Sequence, residues 1–118
     1  MPRRELLVLS QMPQDPASGA ARNLLSICET LATSDFEVRA IGTTATEIRG
    51  AHDPAALLAS AGRSVDRARL PDGAAVLRLE ARGVATTLMD VGASPPGAWE
   101  RAFGDAFDRL LRAEVSAW

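Results

Sequence analysis

The apolar positions near the start of the chain form a short unbroken run. Leu6-Leu7-Val8-Leu9 is apolar throughout and ends at the polar pair Ser10-Gln11, a pattern typical of a strand buried on both faces. The segment that follows, Met12–Gly19, contains two prolines, which prevent regular strand pairing. We therefore predict a strand over residues 6–9 and an irregular loop after it.

A helical period follows this loop. The predicted apolar stripe has members at i, i+4 and i+7: Leu24, Cys28 and Leu31. We expect the helix to begin at Gly19 or Ala20, because the Ser18 hydroxyl can accept hydrogen bonds from the first amides. The spacing thus predicts a half-buried helix, with the turn Thr33-Ser34-Asp35 after it.

A second strand is predicted over Phe36–Gly42. A strand, a crossover helix and a second strand of this length form a right-handed parallel pair, so the first two strands should be neighbours. The polar segment Thr43-Thr44-Ala45-Thr46 would then lie at the same carboxyl edge of the sheet as the proline-containing loop. Ligands of open α/β sheets bind along that edge.

The middle of the chain predicts one short helix and then a loop. Asp53 as N-cap, Pro54 at the first helical position and Gly62 as terminator mark the helix. Ser64–Asp72 is charged and interrupted by a proline, so we predict a loop there.

Two strand-like runs, Ala74–Ala81 and Val84–Val91, are joined by Arg82-Gly83, which predicts a tight hairpin. Their residues alternate, so one face of each strand should be polar and either face solvent or belong to an edge of the sheet. A hairpin does not belong to a purely parallel fold, and the sheet is therefore expected to be mixed.

The last third of the chain predicts an amphipathic helix after the breaker Gly92–Gly97. Its apolar stripe consists of Trp99, Phe103, Ala106, Phe107, Leu110 and Leu111. Asp105 with Arg109, and Asp108 with Arg112, are spaced as i, i+4 ion pairs. We interpret the stripe as core or interface rather than as a ligand site. At Val115–Trp118 an α/β protein would begin its next strand.

Composition narrows the class of protein. The 118 residues suit a single domain, with 47% hydrophobic and 24% charged residues as in folded globular chains. The formal net charge is -2 and all 13 basic residues are Arg, without the basic clustering of a nucleic-acid surface. No apolar stretch is long enough to span a membrane, and no secretory signal is recognisable. We expect a cytoplasmic protein with no nucleic-acid partner.

Few side chains suggest catalysis or metal binding. Cys28 is the single cysteine, which excludes an internal disulfide and a cysteine-based zinc site, and its place on the apolar stripe favours a core residue over a nucleophile. His52 is the single histidine and precedes a helix, where an exposed or capping role is more common than catalysis. We assign no catalytic residue and no metal ligand.

Several strings of the chain resemble the N-terminal domain of a GT-B glycosyltransferase of the glycogen-synthase-like, retaining family. They are Leu6–Pro13, Ser18–Arg22, Phe36–Ala40 followed by Thr43–Glu47, and Arg82–Ala85 followed by Leu88–Gly92. The resemblance covers nearly the whole chain. It implies a three-layer, Rossmann-like α/β domain, truncated relative to the family, that forms the acceptor-side half of a cleft.

The resemblance also implies a ligand site. Ser18, Gly19 and Ala20 correspond to the loop and helix start that lie behind the diphosphate of a nucleotide sugar, where a glycine lets the backbone approach the ligand. Arg22 either reaches the same anion or is a solvated surface residue. Nucleotide sugar would be a substrate, with no metal or other cofactor expected.

The chain departs from the family in lacking the C-terminal donor-binding domain and the histidine-bearing loop, to which His52 does not correspond. Half a cleft cannot preorganise a transition state, so the isolated chain is expected to be inactive unless a separate donor-binding domain completes it. An alternative is a non-catalytic α/β module that forms a homodimer through its sheet edge or C-terminal helix. A phosphate-binding regulator of the receiver or flavodoxin kind fits less well, since Ser10-Gln11 replaces paired acids at the end of the first strand.

Overall fold

Eight helices and strands follow one another along the part of the chain that the computed structural model describes, residues 3–49, 52–60, 63–92, 94–95 and 97–118. In chain order they are β1 (Arg3–Val8), α1 (Gly19–Ala32), β2 (Phe36–Thr43), α2 (Pro54–Ser60), β3 (Asp66–Arg69), β4 (Ala75–Ala81), β5 (Val84–Met89) and α3 (Glu100–Ser116). None of the helices in these ranges combines the length and the apolar content needed to cross a bilayer.

The strands form one mixed sheet in the order β1-β2-β5-β4-β3. β1 runs parallel to β2, and β2 runs parallel to β5, so that Ala40 lies between Leu7 and Thr86. β5 pairs antiparallel with β4, and β4 pairs antiparallel with β3. The parallel start, the hairpin and the mixed sheet are thereby confirmed. The hairpin turn places Arg82 and Gly83 at φ values of 52° and 81°, the left-handed conformation that a two-residue turn requires.

Helices cover both faces of the sheet, which gives the three layers that the sequence predicts. On one face, α1 packs its buried residues against Val38, Ala40 and Val84. On the same face, Leu58 of α2 packs against Leu77 and Leu88. Because residues of one strand alternate between faces, the odd-numbered residues of β2 and β5 point to the opposite side.

The opposite face carries the largest buried cluster, where α3 packs on the sheet. Ile41 and Met89 contact Phe107 and Leu110 there, and the Trp99 ring lies 5.2 Å from the Phe107 ring between centroids. The C-terminal amphipathic helix is therefore confirmed, and of its predicted apolar stripe Trp99, Phe107 and Leu110 are buried in the core, whereas Phe103 is 36% exposed. It continues to Ser116, so Val115 belongs to the helix and not to a following strand.

The prediction that the first strand is buried on both faces is wrong. β1 lies at the edge of the sheet and pairs with β2 only, and Val8 is 42% exposed. An unbroken apolar run is typical of a central strand, which is why the sequence predicts burial on both faces. The position of a strand in the sheet is set by tertiary packing, however, and not by the run itself.

The predicted stripe of α1 is wrong at Leu24, whereas Cys28 is buried and Leu31 packs partly buried against the same cluster of α1. Its buried residues are Ala21, Leu25 and Cys28, whereas Leu24 is 38% exposed and Ile27 is 51% exposed. With apolar residues at several adjacent positions, the helical period alone did not fix the face that turns inward. The core assignment of Cys28 is confirmed, and burial, followed by the charges of Glu5 and Glu29, raises the pKa of its thiol.

Two predictions for the second half of the chain are also wrong. The predicted loop Ser64–Asp72 contains β3, a four-residue edge strand whose residues are all exposed. Its charged sequence hides the strand pattern, although charge is a common protection of an exposed edge. On the polar side predicted for β4, Arg78 and Glu80 are exposed but Val76 is buried, and in β5 Thr86 and Thr87 are buried because β5 lies between two other strands.

The predicted i, i+4 ion pairs of α3 do not form among the described residues. Arg109 instead contacts Asp72 of the β3–β4 turn, with 2.9 Å between Nε and Oδ2. A hydrogen bond from the Ala74 amide, followed by the one from Arg109, lowers the pKa of Asp72. The terminator predicted for α2, Gly62, lies outside the described residues, while Asp53 accepts the Ala55 amide at 3.1 Å as an N-cap should.

Candidate functional site

Three loops meet where the parallel strands end, at the carboxyl edge of the sheet. They are L1 (residues 9–18) after β1, L2 (residues 44–49 and 52–53) after β2, and L3 (residues 90–92, 94–95 and 97–99) after β5. Neighbouring parallel strands end at the same edge, so the predicted juxtaposition of the proline-containing loop with Thr43–Thr46 is confirmed. This edge is where open α/β sheets bind ligands.

Side-chain hydroxyl groups connect the three loops. Thr43 Oγ1 donates to the Ser10 carbonyl of L1 at 2.9 Å, and Thr44 Oγ1 donates to the Gly92 carbonyl of L3 at 2.8 Å. The Trp99 indole also donates to the Ser10 carbonyl, at 2.7 Å. Thr43 and Thr44 are fully buried, so their hydroxyls serve the scaffold and are not available to a ligand.

A buried carboxylate holds L1 to L2. Asp15 is 0% exposed; its Oδ1 accepts the Ala17 amide at 2.9 Å, and its Oδ2 accepts the Glu47 amide at 2.7 Å and the Gln11 Nε2 at 3.1 Å. Burial of a carboxylate is costly unless hydrogen bonds compensate it, and three donors do so here. No sequence pattern marks this residue, because one Asp between two loop prolines carries no periodic signal.

Gly42 is required by the close approach of L1 to β2. A Cβ at this position would lie 2.5 Å from the Gln11 carbonyl oxygen and 3.1 Å from Pro13 Cδ. No side chain fits in that space, so the glycine allows L1 to cross directly over the end of β2.

The predicted site residues lie at the start of α1, beside these connections. Ser18 is the N-cap and its Oγ accepts the Ala21 amide at 3.1 Å, which confirms the predicted cap. Gly19 and Ala20 are exposed, and no described residue accepts a hydrogen bond from their amides. Arg22 is exposed one turn further on, and no described carboxylate forms an ion pair with it.

The structure therefore brings Ser18, Gly19, Ala20 and Arg22 together on one helix end, where two exposed amides, those of Gly19 and Ala20, have no acceptor in the described part of the chain. The first amides of a helix carry a partial positive charge and bind anions or oxygen atoms of a ligand. The protein's own groups already occupy the neighbouring amides, those of Ala17 and Ala21.

Two further polar pairs lie at this edge, and the sequence analysis did not predict them. Gln14 Nε2 donates to Thr86 Oγ1 at 3.2 Å, which connects L1 to the centre of β5. Thr46 Oγ1 lies 3.2 Å from His52 Nε2, a contact between two residues of L2, and His52 is half-buried there. Among the residues that the structure describes, His, Cys, Asp and Glu side chains form no group of three that could hold a metal ion.

Two of the larger concavities differ in their place on the sheet. One, of 390 Å³, is lined by β3 and β4 residues such as Arg67 and Leu77 and reaches Asp90 at the start of L3. Another, of 560 Å³, lies between Glu29 of α1 and Arg82 of the hairpin turn. Comparison with family models, with curated proteins and with solved structures finds no match to this chain.

Proposed function

We propose that this chain is the acceptor-side domain, or a truncated homologue, of a nucleotide-sugar-dependent glycosyltransferase, inactive until a separate donor-binding domain completes the cleft. The proposal rests on the resemblance in sequence and on one observation: Gly19 and Ala20 are exposed at the carboxyl edge of three parallel strands, and their amides have no acceptor among the described residues. A helix end of this kind suits the diphosphate of a nucleotide sugar.

The chemistry of the edge supports binding rather than catalysis by this chain alone. The two outward amides and the Arg22 guanidinium can donate to phosphate oxygens. The carboxylate of Asp15 is fully occupied by donors, and we assign it no acid or base role. We expect the separate donor-binding domain to bind the nucleotide-sugar donor and to supply the residues for sugar transfer.

The experiment is an amide NMR titration of the isolated chain with UDP-glucose, and with GDP-mannose in a parallel series. We expect saturable shifts centred on Gly19–Arg22, with the distant hairpin turn at Arg82-Gly83 as an internal reference that does not move. Absence of shifts at the helix start with either sugar nucleotide, up to millimolar concentration, would refute the proposal.

A second candidate is a module that forms a homodimer through β1. The Arg3 and Leu9 amides both donate toward β2, to Asp35 and Ile41 carbonyls at 3.0 Å each, so the alternate residues direct their main-chain groups outward from the edge. Beside this edge Val8 is 42% exposed, and Ile27 of α1 is 51% exposed. A second copy could pair with the edge and cover both.

Sedimentation velocity over a hundredfold range of concentration tests the homodimer. The dimer interpretation predicts a mass that doubles with concentration and a Val8→Lys variant that stays monomeric, because a charged side chain on an edge strand blocks pairing. Val115→Lys, which places the same charge at a 51% exposed position of α3, is the matched control. A monomer at every concentration would exclude this candidate.

A further inference from the structure

We propose that Asp15 is a positioning residue, whose buried carboxylate fixes the start of α1 relative to L2 so that the surface around Gly19 is formed before a ligand binds. The effect of Asp15 on ligand binding rests on the proposed function. Its structural part can be tested without any ligand.

The contacts of Asp15 join segments that are far apart in sequence. One oxygen accepts the amide of Ala17, two residues further along L1, and the other accepts the amide of Glu47 on L2 at 2.7 Å. The Asp15 carbonyl accepts the Ser18 amide at 3.3 Å, which ties the same residue to the N-cap of α1. A displacement of Asp15 would therefore move both the cap and the contact to L2.

Because Asp15 is buried, its charge depends on these hydrogen bonds and not on water. Its side chain is 0% exposed, and no described Arg or His side chain forms an ion pair with it, so compensation of the charge depends on the three amide donors. A donor that moves away leaves part of a buried charge uncompensated. Ala17 and Glu47 are thus held together at fixed positions.

The other connections of L1 precede Asp15 in the chain. The Ser10 carbonyl is held by Thr43 and Trp99, the Met12 amide donates to the Ala45 carbonyl at 2.8 Å, and the Gln14 side chain donates to Thr86 at 3.2 Å. Loss of the Asp15 contacts should therefore release residues 15–18 and leave residues 10–14 anchored.

The test is Asp15→Asn, which keeps the shape of the side chain and replaces one acceptor oxygen with a donor NH₂. Only one oxygen remains for the Ala17 and Glu47 amides, so one of them must lose its partner. Asp53→Asn is the matched control, because Asp53 also accepts a backbone amide, that of Ala55, but lies at the exposed start of α2.

Amide hydrogen exchange of the ligand-free chains gives the first readout. We expect exchange at Glu47 or Ala17 to become about tenfold faster in D15N, while the Met12 amide keeps its rate and D53N matches the wild type. Unchanged exchange at both Glu47 and Ala17 would overturn the proposal. If D15N does not fold, a long-range HNCO experiment on the wild type replaces it: scalar coupling from the Glu47 amide nitrogen to the Asp15 Cγ is expected, and its absence would overturn the proposal.

Titration with UDP-glucose gives the second readout, which a merely stabilising residue would not alter. In the wild type, binding at Gly19 should also shift the Glu47 amide through Asp15; in D15N that transmitted shift should vanish and the Kd should rise about tenfold. An unchanged Kd with an unchanged Glu47 shift would overturn the positioning role. If the wild type binds no sugar nucleotide, the proposed function fails, while the exchange and coupling measurements still decide whether Asp15 fixes the two loops.

Discussion

Replacing Gly42 by alanine tests whether L1 is pressed against the end of β2. The new Cβ would lie 2.5 Å from the Gln11 carbonyl oxygen, 3.1 Å from Pro13 Cδ and 3.4 Å from Leu88 Cδ2. The first distance must lengthen by about 0.5 Å to reach the shortest separation that real Cβ atoms show. Either β2 or L1 has to move.

L1 has little freedom to move at this point. The Ser10 carbonyl before Gln11 accepts hydrogen bonds from Thr43 and Trp99, and the Met12 amide after it donates to Ala45 at 2.8 Å. Forcing an extra methyl group into a packed site costs about 1–3 kcal/mol, and the anchored backbone places this site in the upper part of that range. The better strand propensity of alanine offsets roughly 0.5–1 kcal/mol.

We therefore expect Gly42→Ala to lower the free energy of unfolding by about 2 kcal/mol. With a slope near 1.5 kcal/mol/M for a chain of this size, the urea midpoint should fall by about 1 M without a change in slope. Amide exchange should accelerate at Met12. Gly104→Ala in α3 is the control: its Cβ would meet nothing within 4 Å, and it should stabilise the chain by about 0.5–1 kcal/mol. A Gly42→Ala midpoint equal to that of the wild type would refute the close packing of L1.

Three further changes have defined outcomes. Ser18→Ala removes the acceptor of the Ala21 amide and should lower the free energy of unfolding by about 1 kcal/mol in urea titration; no loss would show that the cap is not used. Trp99→Phe keeps the ring contact but removes the donor to Ser10, and should cost about 1–2 kcal/mol with faster exchange confined to L1 and L3. The fold raises the pKa of the Cys28 thiol, so the stabilisation of the folded state by the protonated thiol is complete at pH values below the pKa of the unfolded thiol. This stabilisation is lost as the pH rises through the pKa of the thiol in the folded state. Because the chain has no Lys and no Tyr, no such side chain titrates beside Cys28 between pH 9 and 11. The fall in urea midpoint over that range should therefore be smaller in Cys28→Ala than in the wild type. An equal fall in the two proteins would contradict the burial of the Cys28 thiol.

The elements with a clear period could be predicted from the sequence. The α1 cap at Ser18, the hairpin turn at Arg82-Gly83 and the amphipathic period of α3 each depend on residues within one or two turns of each other, and the structure has all three, with Phe103 of the α3 stripe left exposed. Local sequence encodes such features directly, because the interacting groups are neighbours along the chain.

Features that depend on strand order could not be predicted. The run Leu6–Leu9 suits a central strand or an edge strand equally, and only the packing of the whole sheet places it at the edge. β3 (Asp66–Arg69) has no apolar alternation at all, since it is an exposed edge strand that pairs through its backbone. Thr86 is polar and nevertheless buried, because its strand lies between two others.

The candidate site was predictable only in part. Ser18 and Gly19 mark a helix start that the local pattern identifies, and the parallel pairing places it at the ligand edge. Asp15 gave no signal, because its partner on L2, the Glu47 amide, is 32 residues away in sequence. Contacts of this range become visible only once the loops are brought together by the fold.

The most direct test of the central claim is the affinity of UDP-glucose for Gly19→Pro compared with Gly19→Ala. Position 19 is the first residue of α1, where proline is tolerated, and Ser18 already has the extended backbone, φ −111° and ψ 108°, that proline requires before it. Proline thus removes one outward amide with little disturbance, while alanine, whose Cβ meets nothing within 4 Å, keeps it. The account predicts a Kd about tenfold weaker for Gly19→Pro and unchanged for Gly19→Ala. Equal affinities for the two variants would contradict a role of this helix end in binding the diphosphate.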